Sequence, residues 1–482
     1  MKQLVIFVLC LLMSCAGYGQ CHRLADQIDK LTAKRLPNAD VGMVVMDGST
    51  GAIIYERNAY QAFSPASNMK LLTAAAALYA LGPDYRYHTQ LAWDPSQVTH
   101  HTLQGNVYMR FSGDPTLTIN KVQHLMQQIK ARGIHTINGD IVIDHSLFTK
   151  PNYPPGSTYD NSHWYYGAPI SAILINQNAL TFHIHPSDTL GQRAHIQPSS
   201  PARTYANLIE NDITTVSYQK AMHRCSLILD VNAHNAFQLK GCWPIGDDHN
   251  FKLAIKNPYR FASGIIRHSL KVNNIKLSGQ IKQGHKPSNL TSLTEQSSPE
   301  LKAMLTTMMK HSNNIYAESL FKTLGVSQFG KGSFQLGGLA LQKVLADKAG
   351  LDFQHARIKD GAGESRYDLI TPMMLARVLY VIDQDSHLGP IYRQTLPDSG
   401  ADGTLKKRMT SADMKQVVQA KTGSMTGVST LSGYIKTLSS DHLIFSIMVN
   451  HLTDSLTRAR NFQDQALMLL RRYNISEDQL VS

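Results

Sequence analysis

The order of apolar and polar residues changes character twice along the chain. Residues 41–55 contain two β-rich runs around a polar turn at 47–51, which predicts a hairpin. Residues 71–82, LLTAAAALYALG, are rich in Ala and Leu and apolar on almost every side. They predict a buried helix that ends at Gly82. Between about 88 and 290, short alternating runs separated by turn residues predict a mainly β segment with few helices.

Helical periodicity returns in the last third of the chain. The pattern predicts helices over 301–324, 333–350, 371–382 and 456–473, and strands over 417–421, 430–437 and 443–449. The two ends of the chain therefore predict one discontinuous α/β (α+β) domain, interrupted by a β-rich insertion of about 200 residues.

The first residues predict export. Lys2 precedes an apolar run from Val5 to Met13, which is too short to span a membrane, so residues 1–20 are expected to be a signal peptide. Two cleavage sites remain open. Residues 17–19 are small enough for ordinary cleavage, whereas the sequence LMSC resembles a lipoprotein box that would leave a lipid on Cys15.

The net charge of +12 limits the classes of binding partner to consider but does not select one of them. A basic surface favours polyanions: nucleic acid, an anionic membrane surface or a cell-wall polymer. No zinc-finger spacing and no basic stretch interleaved with aromatics is found, and the leader indicates export. We therefore expect no nucleic-acid partner and keep a peripheral membrane contact open.

The cysteines indicate no metal chemistry. Only Cys225 and Cys242 lie in the body of the chain, where an exported protein would either join them in a disulfide or keep two free thiols. No cysteine cluster is present and the 21 histidines are scattered, so we expect no metal site and no cofactor.

Ser67 and Lys70 are the first candidates for catalysis. Side chains three residues apart share a helix face, so Lys70 can reach the Ser67 hydroxyl. A serine hydroxyl is a weak nucleophile until a base takes its proton, and a lysine with a lowered pKa can be that base. The spacing alone is weak evidence, because S-x-x-K recurs at 217–220 and 319–322. Only Ser67 follows a proline-containing turn and opens an apolar helix.

Two more short motifs follow in the sequence. Ser312-Asn313-Asn314 taken alone is typical of a polar turn or helix cap, and Lys421-Thr422-Gly423 of a strand end with a turn glycine. Together with S-x-x-K they give the order S-x-x-K, S-x-N, K-T-G. This order is similar to the active-site set of β-lactamases and penicillin-binding proteins.

The chain as a whole resembles the D-Ala-D-Ala carboxypeptidases of the DacB type, which are class C low-molecular-mass penicillin-binding proteins. The resembling segments are SPASNMKLLTAAAAL (64–78), GDPTLT (113–118), GDIVID (139–144), YGAPISAILINQNAL (166–180), DGAGESRYDLITP (360–372), ADGTLKKR (401–408) and AKTGSMTGVSTLSGYI (420–435). The 245 positions from Ser67 to Ser312 also fit, because that family carries two β-rich domains inserted after the nucleophile helix.

The resemblance implies a penicillin-binding-protein/β-lactamase-like serine transpeptidase domain with inserted domains. The implied boundaries are 21–87 and 294–482 for the catalytic domain, 88–185 and 256–293 for the first insertion, and 186–255 for a nested β-rich domain. It also implies an exported, periplasmic enzyme that acts on peptidoglycan stem peptides and is covalently inhibited by β-lactam antibiotics.

The same resemblance implies a role for each motif residue. Ser67 is the nucleophile, Lys70 its base, and Ser312 the relay towards the leaving amine. Asn314, Lys421 and the Thr422 hydroxyl bind substrate, and so do Gly423 and Ser424. Asp144 also binds substrate, as an acid near the substrate's side-chain amine.

Two positions depart from the family pattern. Asn313 stands where the family has Asp in the S-x-N element, and Glu364 stands where Leu is usual. Asn313 does not supply the reacting hydroxyl, so we expect the chemistry to survive. Glu364 is expected to alter the edge of the cleft.

Asp144 has an alternative to the substrate-binding role. It would then be a structural acid that stabilises a turn.

Three other functions share features of this sequence: a β-lactamase, an inert cell-wall binding protein on the same fold, and a nucleic-acid binder. The long insertion argues against a β-lactamase, and the intact motif residues argue against an inert binding protein. The leader argues against a nucleic-acid binder. Carboxypeptidase and endopeptidase activity both cleave after D-alanine, and the sequence does not separate them.

Overall fold

The structure is a computed structural model that describes residues 24–200, 202–290, 292–439 and 442–474. The predicted signal peptide, including Cys15, lies outside the described residues. The described chain forms two compact units: 24–85, 300–328 and 334–474 in the first, and 86–299 with 329–333 in the second. The predicted mixed α/β class is confirmed, whereas the division of the insertion into two domains stays a prediction.

Helices occur throughout the described chain. After α1, over residues 24–35, they are α2 (Met69–Leu81), α3 (Ile119–Ala131), α4 (Tyr218–Arg224), α5 (Pro258–Val272), α6 (Leu301–Lys310), α7 (Asn314–Phe329), α8 (Phe334–Ala349), α9 (Pro372–Gln384), α10 (Leu388–Thr395) and α11 (Leu456–Arg471). No helix in these described stretches is long and apolar enough to cross a membrane.

The strands of the described residues fall into five sheets. They are β1 (Asp40–Asp47), β2 (Ile53–Arg57), β3 (His88–Ala92), β4 (Val98–Thr99), β5 (Thr102–Leu103), β6 (Val107–Arg110), β7 (Thr136–Ile137), β8 (Ile141–Asp144), β9 (Ala179–His185), β10 (His195–Pro198), β11 (Asn207–Val216), β12 (Leu227–Val231), β13 (Ala236–Pro244), β14 (His249–Ala254), β15 (Lys276–Leu277), β16 (Ile281–Gln283), β17 (Thr294–Ser297), β18 (Val418–Met425), β19 (Val428–Lys436) and β20 (His442–Asn450).

The first unit is built on the antiparallel sheet β18-β19-β20-β1-β2. One face packs against α1 and α11, where Ile28 and Phe462 join the sheet residues Val45 and Phe445 in a common core. Helix α9 packs against β1 and β20, and α2 packs against α8 and α9. The predicted buried helix is confirmed, since every residue from Met69 to Leu78 in α2 is buried.

The predicted helix over 301–324 is wrong in one respect, because it is two helices. Helix α6 ends at Lys310, and α7 begins at Asn314. Between them Ser312 has a φ of +53°, the left-handed region that non-glycine residues avoid, and the Asn313 N–H donates to the Met308 carbonyl at 3.0 Å. The apolar period continues across this break, so the pattern hides it.

The second unit contains four sheets and is less purely β than predicted. The sheets have the orders β16-β8-β6-β3-β17, β15-β7-β5-β4, β10-β9-β14 and β11-β13-β12. Helices α3 and α5 pack against each other, and each buries an apolar face, which includes Val122 and Met126 in α3 and Phe261 and Ile265 in α5. Both helices were missed because the short alternating runs around them dominated the pattern.

Cys225 and Cys242 are joined in a disulfide, with their Cα atoms 5.5 Å apart. Cys225 follows α4 and Cys242 lies in β13, so the bond ties the helix to the sheet. Of the two states left open by the sequence, the structure contains the disulfide.

Candidate active site

Ser67 lies in a tight turn just before the buried helix. A 3₁₀ turn over Ala66–Asn68 leads directly into α2, and the Asn68 N–H donates to the Pro65 carbonyl at 3.1 Å. Ala66 has a φ of +44°, a conformation that costs a non-glycine residue about 1–3 kcal/mol and clusters at functional sites. The turn leaves Ser67 half-buried, while its neighbours Ala66 and Asn68 are buried.

Lys70 is held by three acceptors. Its Nζ donates to the Ser67 Oγ at 2.9 Å, to the Asn314 Oδ1 at 2.8 Å and to the Ala362 carbonyl at 2.8 Å. The side chain is completely buried. The structure thus brings together Ser67, Lys70 and Asn314, as the motifs predicted, and adds a backbone contact from the loop that follows Asp360.

Burial lowers the pKa of Lys70 to about 8. The loss of hydration is the largest cause, because it disfavours the charged amine. The carboxylates of Glu318, Asp360 and Glu364 act in the opposite direction and raise the pKa. A lysine with a pKa near 8 is neutral in an appreciable fraction of molecules near neutral pH, which a proton acceptor requires.

Two buried carboxyl groups shape the loop that contacts Lys70. Glu318 accepts hydrogen bonds from the N–H groups of Gly361 (2.9 Å) and Ala362 (3.1 Å). Asp360 accepts four more backbone N–H bonds, from Ala362, Gly363, Glu364 and Ser365, at 2.6–3.1 Å. Burial raises the pKa of Glu318 well above its ordinary value. Sequence reasoning missed Glu318, because a lone Glu within a helix carries no motif signal.

Ser312, the hydroxyl-bearing residue of the S-x-N element, lies in the break between α6 and α7. The Lys421 Nζ donates to the Ser312 Oγ at 2.8 Å and to the Thr422 carbonyl at 2.7 Å. Lys421 is completely buried, and burial together with the positive charge of Lys70 lowers its pKa well below the ordinary value. A second lysine–serine pair therefore stands in the same unit as the first.

The K-T-G motif lies inside β18, which continues to Met425 rather than ending at residue 421 as predicted. Lys421 and Gly423 face the interior, whereas Thr422 and Ser424 are more exposed. The Thr422 Oγ1 donates to the Thr404 Oγ1 at 2.8 Å, and an Arg460 amine donates to the Ser424 Oγ at 3.3 Å. Thr404, which lies in the resembling segment 401–408, and Arg460 are further polar residues at this strand to which the sequence assigned no role.

Gly423 is required by the nucleophile turn. A Cβ atom at this position would lie 2.1 Å from the Thr430 Oγ1 and 3.0 Å from both the Pro65 carbonyl oxygen and the Ser67 nitrogen. Thr430 itself donates to the Pro65 carbonyl at 2.9 Å. A side chain at Gly423 would therefore push β18 away from the turn that carries Ser67.

Asp144 belongs to the second unit, at the end of β8. Its carboxylate accepts the N–H groups of Ser146 at 3.0 Å and Lys286 at 2.9 Å. Burial raises its pKa, but these hydrogen bonds and nearby Arg110 outweigh burial and hold the pKa below its ordinary value. These contacts fit the turn-acid alternative, and the substrate-binding role stays a prediction.

The two other S-x-x-K matches have structural positions. Ser217 caps α4, where its hydroxyl accepts the Lys220 N–H at 3.3 Å. Ser319 and Lys322 are completely buried within α7, and the Lys322 amine lies 4.5 Å from the centre of the Phe334 ring. Neither serine resembles Ser67, which stands half-exposed at a turn.

This fold and site define the class of serine peptidases that work through S-x-x-K, S-x-N and K-T-G motifs. Comparison with known proteins gives the family. The chain belongs to the D-Ala-D-Ala carboxypeptidase 3 (S13) family, whose sequence profile matches residues 24–473. The DacB-type resemblance and the predicted enzyme class are confirmed.

Two curated relatives span most of the chain. It is 29% identical to the D-alanyl-D-alanine carboxypeptidase DacB of Haemophilus influenzae, over 88% of each chain. It is also 29% identical to the D-alanyl-D-alanine carboxypeptidase of Actinomadura sp. strain R39, over 90% of this chain and 82% of the relative. The crystal structure of penicillin-binding protein 4 (dacB) from H. influenzae matches 92% of this chain and 99% of its own, at 28% identity and a TM-score of 0.85.

Proposed function

We propose that Ser67 is the nucleophile of an exported serine-type D-Ala-D-Ala carboxypeptidase or endopeptidase that acts on peptidoglycan stem peptides. The observation that carries the proposal is the contact of the buried Lys70 amine with the Ser67 hydroxyl and the Asn314 amide. Family membership supplies the substrate class, since both relatives described above are D-alanyl-D-alanine carboxypeptidases.

Acylation begins when the Ser67 oxygen attacks the carbonyl carbon of the penultimate D-alanine. The neutral Lys70 amine, 2.9 Å away, takes the hydroxyl proton as the new C–O bond forms. Asn314 and the Ala362 carbonyl hold the amine in place, so little reorganisation is needed. The backbone N–H groups of Ser67 and Ser424 would receive the developing oxyanion, a contribution of about 2.7–4 kcal/mol for each donor in comparable sites.

Breakdown of the tetrahedral intermediate requires a proton on the leaving amine. Ser312 is the donor in this proposal, and the Lys421 amine that contacts its hydroxyl at 2.8 Å completes the path by which a proton reaches it. Loss of terminal D-alanine or of a cross-linked peptide leaves an ester on Ser67. Water then attacks that ester, the acid product leaves, and the serine hydroxyl is restored.

Substrate recognition rests on the exposed side of β18. Thr422 and Ser424 point away from the core there, and we assign them to the terminal carboxylate and the peptide backbone. Asn314 would bind the substrate amide, and Gly423 keeps the strand close to the nucleophile turn. We keep Asp144 as the proposed acid for the substrate's side-chain amine.

β-Lactam antibiotics are the expected covalent inhibitors. A D. discoideum relative is named penicillin-sensitive carboxypeptidase A, and the H. influenzae penicillin-binding protein 4 has been crystallised with a β-lactam. The strained amide of a β-lactam would acylate Ser67 by the same steps. Because the ring's nitrogen stays attached after opening, no leaving group departs and the ester is expected to persist.

We infer export from residues 1–20, with the mature enzyme in the periplasm. A lipid on Cys15 is the alternative anchor, and a peripheral membrane contact follows from the basic charge of the chain. Mass spectrometry of the mature N-terminus separates the two cleavage sites, since a lipidated Cys15 adds the mass of its acyl chains.

The direct test of the activity is release of D-alanine from a short acyl-D-Ala-D-Ala peptide. The wild-type chain should release it, and Ser67→Ala should release none while keeping its fold. Release by the Ser67→Ala variant would overturn the assignment of the nucleophile. A cross-linked dimer of stem peptides, assayed in parallel, separates endopeptidase from carboxypeptidase activity.

A further inference from the structure

The second unit contains a basic groove that takes no part in the catalysis described above. It lies along α5, encloses about 940 Å³ and is lined by residues between Thr204 and Ile281. We propose that this groove binds the peptidoglycan polymer itself, as an anchoring site for anionic glycan–peptide strands. The identity of the ligand rests on the proposed function, whereas the charge and shape of the groove are properties of the structure alone.

The cations of the groove form one stripe on α5. Arg260, Arg267 and Lys271 are exposed and line the groove, with spacings of seven and four residues. This spacing puts them on one helix face over about 16 Å, given a rise of about 1.5 Å per residue. An extended strand with several carboxylates could contact all three at once.

These charges are available to a ligand. None of the lining residues is acidic, and among the described residues no ion pair engages Arg260, Arg267 or Lys271. Elsewhere in the chain, Arg393 and Arg408 are paired with Asp383 and Asp464. Arginine forms paired hydrogen bonds with carboxylates, so the stripe suits an acidic strand.

Gly264 lies between the two arginines on the same face and also lines the groove. A glycine in a helix interior costs about 0.5–1 kcal/mol relative to alanine. No packing requirement explains it, because a Cβ atom at this position would have no neighbour within 4 Å. The missing side chain instead keeps the floor of the groove open.

Two tyrosines complete the groove. The Tyr205 hydroxyl accepts a hydrogen bond from the Gln123 amide at 3.1 Å, and the Tyr259 hydroxyl donates to the Ile281 carbonyl at 3.0 Å. Both rings are therefore fixed and line the groove beside the cations. Fixed aromatic rings offer apolar surface to the C–H faces of sugars, while the arginines bind carboxylates. A concave site of this kind suits a polymer strand better than a flat bilayer.

The test compares charge reversals of equal size. Arg260→Glu/Arg267→Glu reverses two of the three cations of the stripe. Lys220→Glu/Lys276→Glu makes the same change in net charge at exposed positions of the same unit that do not line the groove. Both are made in the Ser67→Ala background, and their sedimentation with purified peptidoglycan sacculi is measured. The arginine pair should weaken binding about tenfold and the lysine pair about twofold or less. Gly264→Leu, which changes no charge, should also weaken binding by filling the floor.

Equal losses in the two charge reversals would overturn the inference, because binding would then follow net charge alone. Binding to anionic lipid vesicles that depends on the stripe, with none to sacculi, would also overturn it. In the Ser67 background, the same groove variants should release D-alanine from a short acyl-D-Ala-D-Ala peptide at the wild-type rate. Failure of the wild-type chain in that assay would count against the proposed function rather than the groove.

Discussion

Glu364 accepts a hydrogen bond from the Asn314 side-chain amide, with 3.3 Å between the Glu364 Oε2 and the Asn314 Nδ2. This contact turns the Asn314 Oδ1 towards the Lys70 amine, which it meets at 2.8 Å. The DacB-type pattern has Leu at the position of Glu364. This chain has therefore added a carboxylate to the immediate surroundings of the proposed base.

The first prediction concerns the pH dependence of acylation. Burial lowers the pKa of Lys70 to about 8, and only its neutral form accepts a proton. The acylation rate with a chromogenic β-lactam should therefore rise with pH and level off above about 8. A rate that is flat between pH 6 and 9 would contradict the assignment of Lys70 as base.

The second prediction is the effect of Glu364 on this profile. Its negative charge raises the pKa of Lys70, so Glu364→Gln should move the rise in acylation rate to lower pH. Glutamine keeps an oxygen that can accept from Asn314, so the plateau should change little. Glu364→Leu should move the profile in the same direction and also lower the plateau, because the hydrogen bond from the Asn314 amide to residue 364 is lost. An unchanged profile in both variants would show that Glu364 has no electrostatic role.

The third prediction separates the role of the Ser312 hydroxyl in acylation from the effect of its backbone conformation on stability. Ser312→Ala and Ser312→Gly both remove the relay and should slow acylation by about 10²–10⁴-fold, the usual contribution of a positioned proton donor. The left-handed φ of +53° costs a non-glycine residue about 1–2 kcal/mol. The glycine variant should therefore unfold at higher urea than the alanine variant. Equal stabilities would mean that the turn is not strained, and normal acylation would exclude Ser312 as the relay.

The fourth prediction concerns Gly423. Gly423→Ala should destabilise the fold by about 1–3 kcal/mol through overpacking against Thr430 and should slow acylation by displacing the turn that carries Ser67. Gly264→Ala is the matched control, because its added methyl meets open space and should be neutral or stabilising. Urea unfolding and β-lactam acylation measure both effects. A Gly423→Ala variant as stable and active as the wild type would contradict the packing argument.

The sequence was informative where spacing carries chemistry. The S-x-x-K spacing placed Lys70 beside Ser67, because three residues make nearly one helical turn. The buried helix α2 was also predicted, because it is apolar on almost every side, and so were β19 and β20, because each is a long β-rich run. The prediction ended β18 too early, at residue 421, because the glycine and the polar residues in KTGSM resemble a turn.

The remaining features depend on tertiary structure. The polar Ser312-Asn313-Asn314 run is typical of a turn, yet the break was not predicted, because the apolar period continues on both sides of it. Only the folded structure shows that Lys421, 109 positions later, contacts the Ser312 hydroxyl. Glu318 and Asp360 likewise act through a loop whose backbone N–H groups converge on them only after folding. Amphipathic α5 was missed although its apolar and polar faces follow the helical period, because the short alternating runs on either side of it dominated the prediction.

The central claim is that Ser67 forms the covalent acyl-enzyme, and intact-mass spectrometry with benzylpenicillin tests it most directly. The purified mature chain should gain the mass of one penicillin, the adduct should persist, and peptide mapping should place it on Ser67. Ser319→Ala and Ser217→Ala, at the other two S-x-x-K motifs, should label normally, whereas Ser67→Ala should not label. An adduct on another serine, or labelling of Ser67→Ala, would contradict the account, and an adduct that disappears as penicillin is consumed would indicate a β-lactamase.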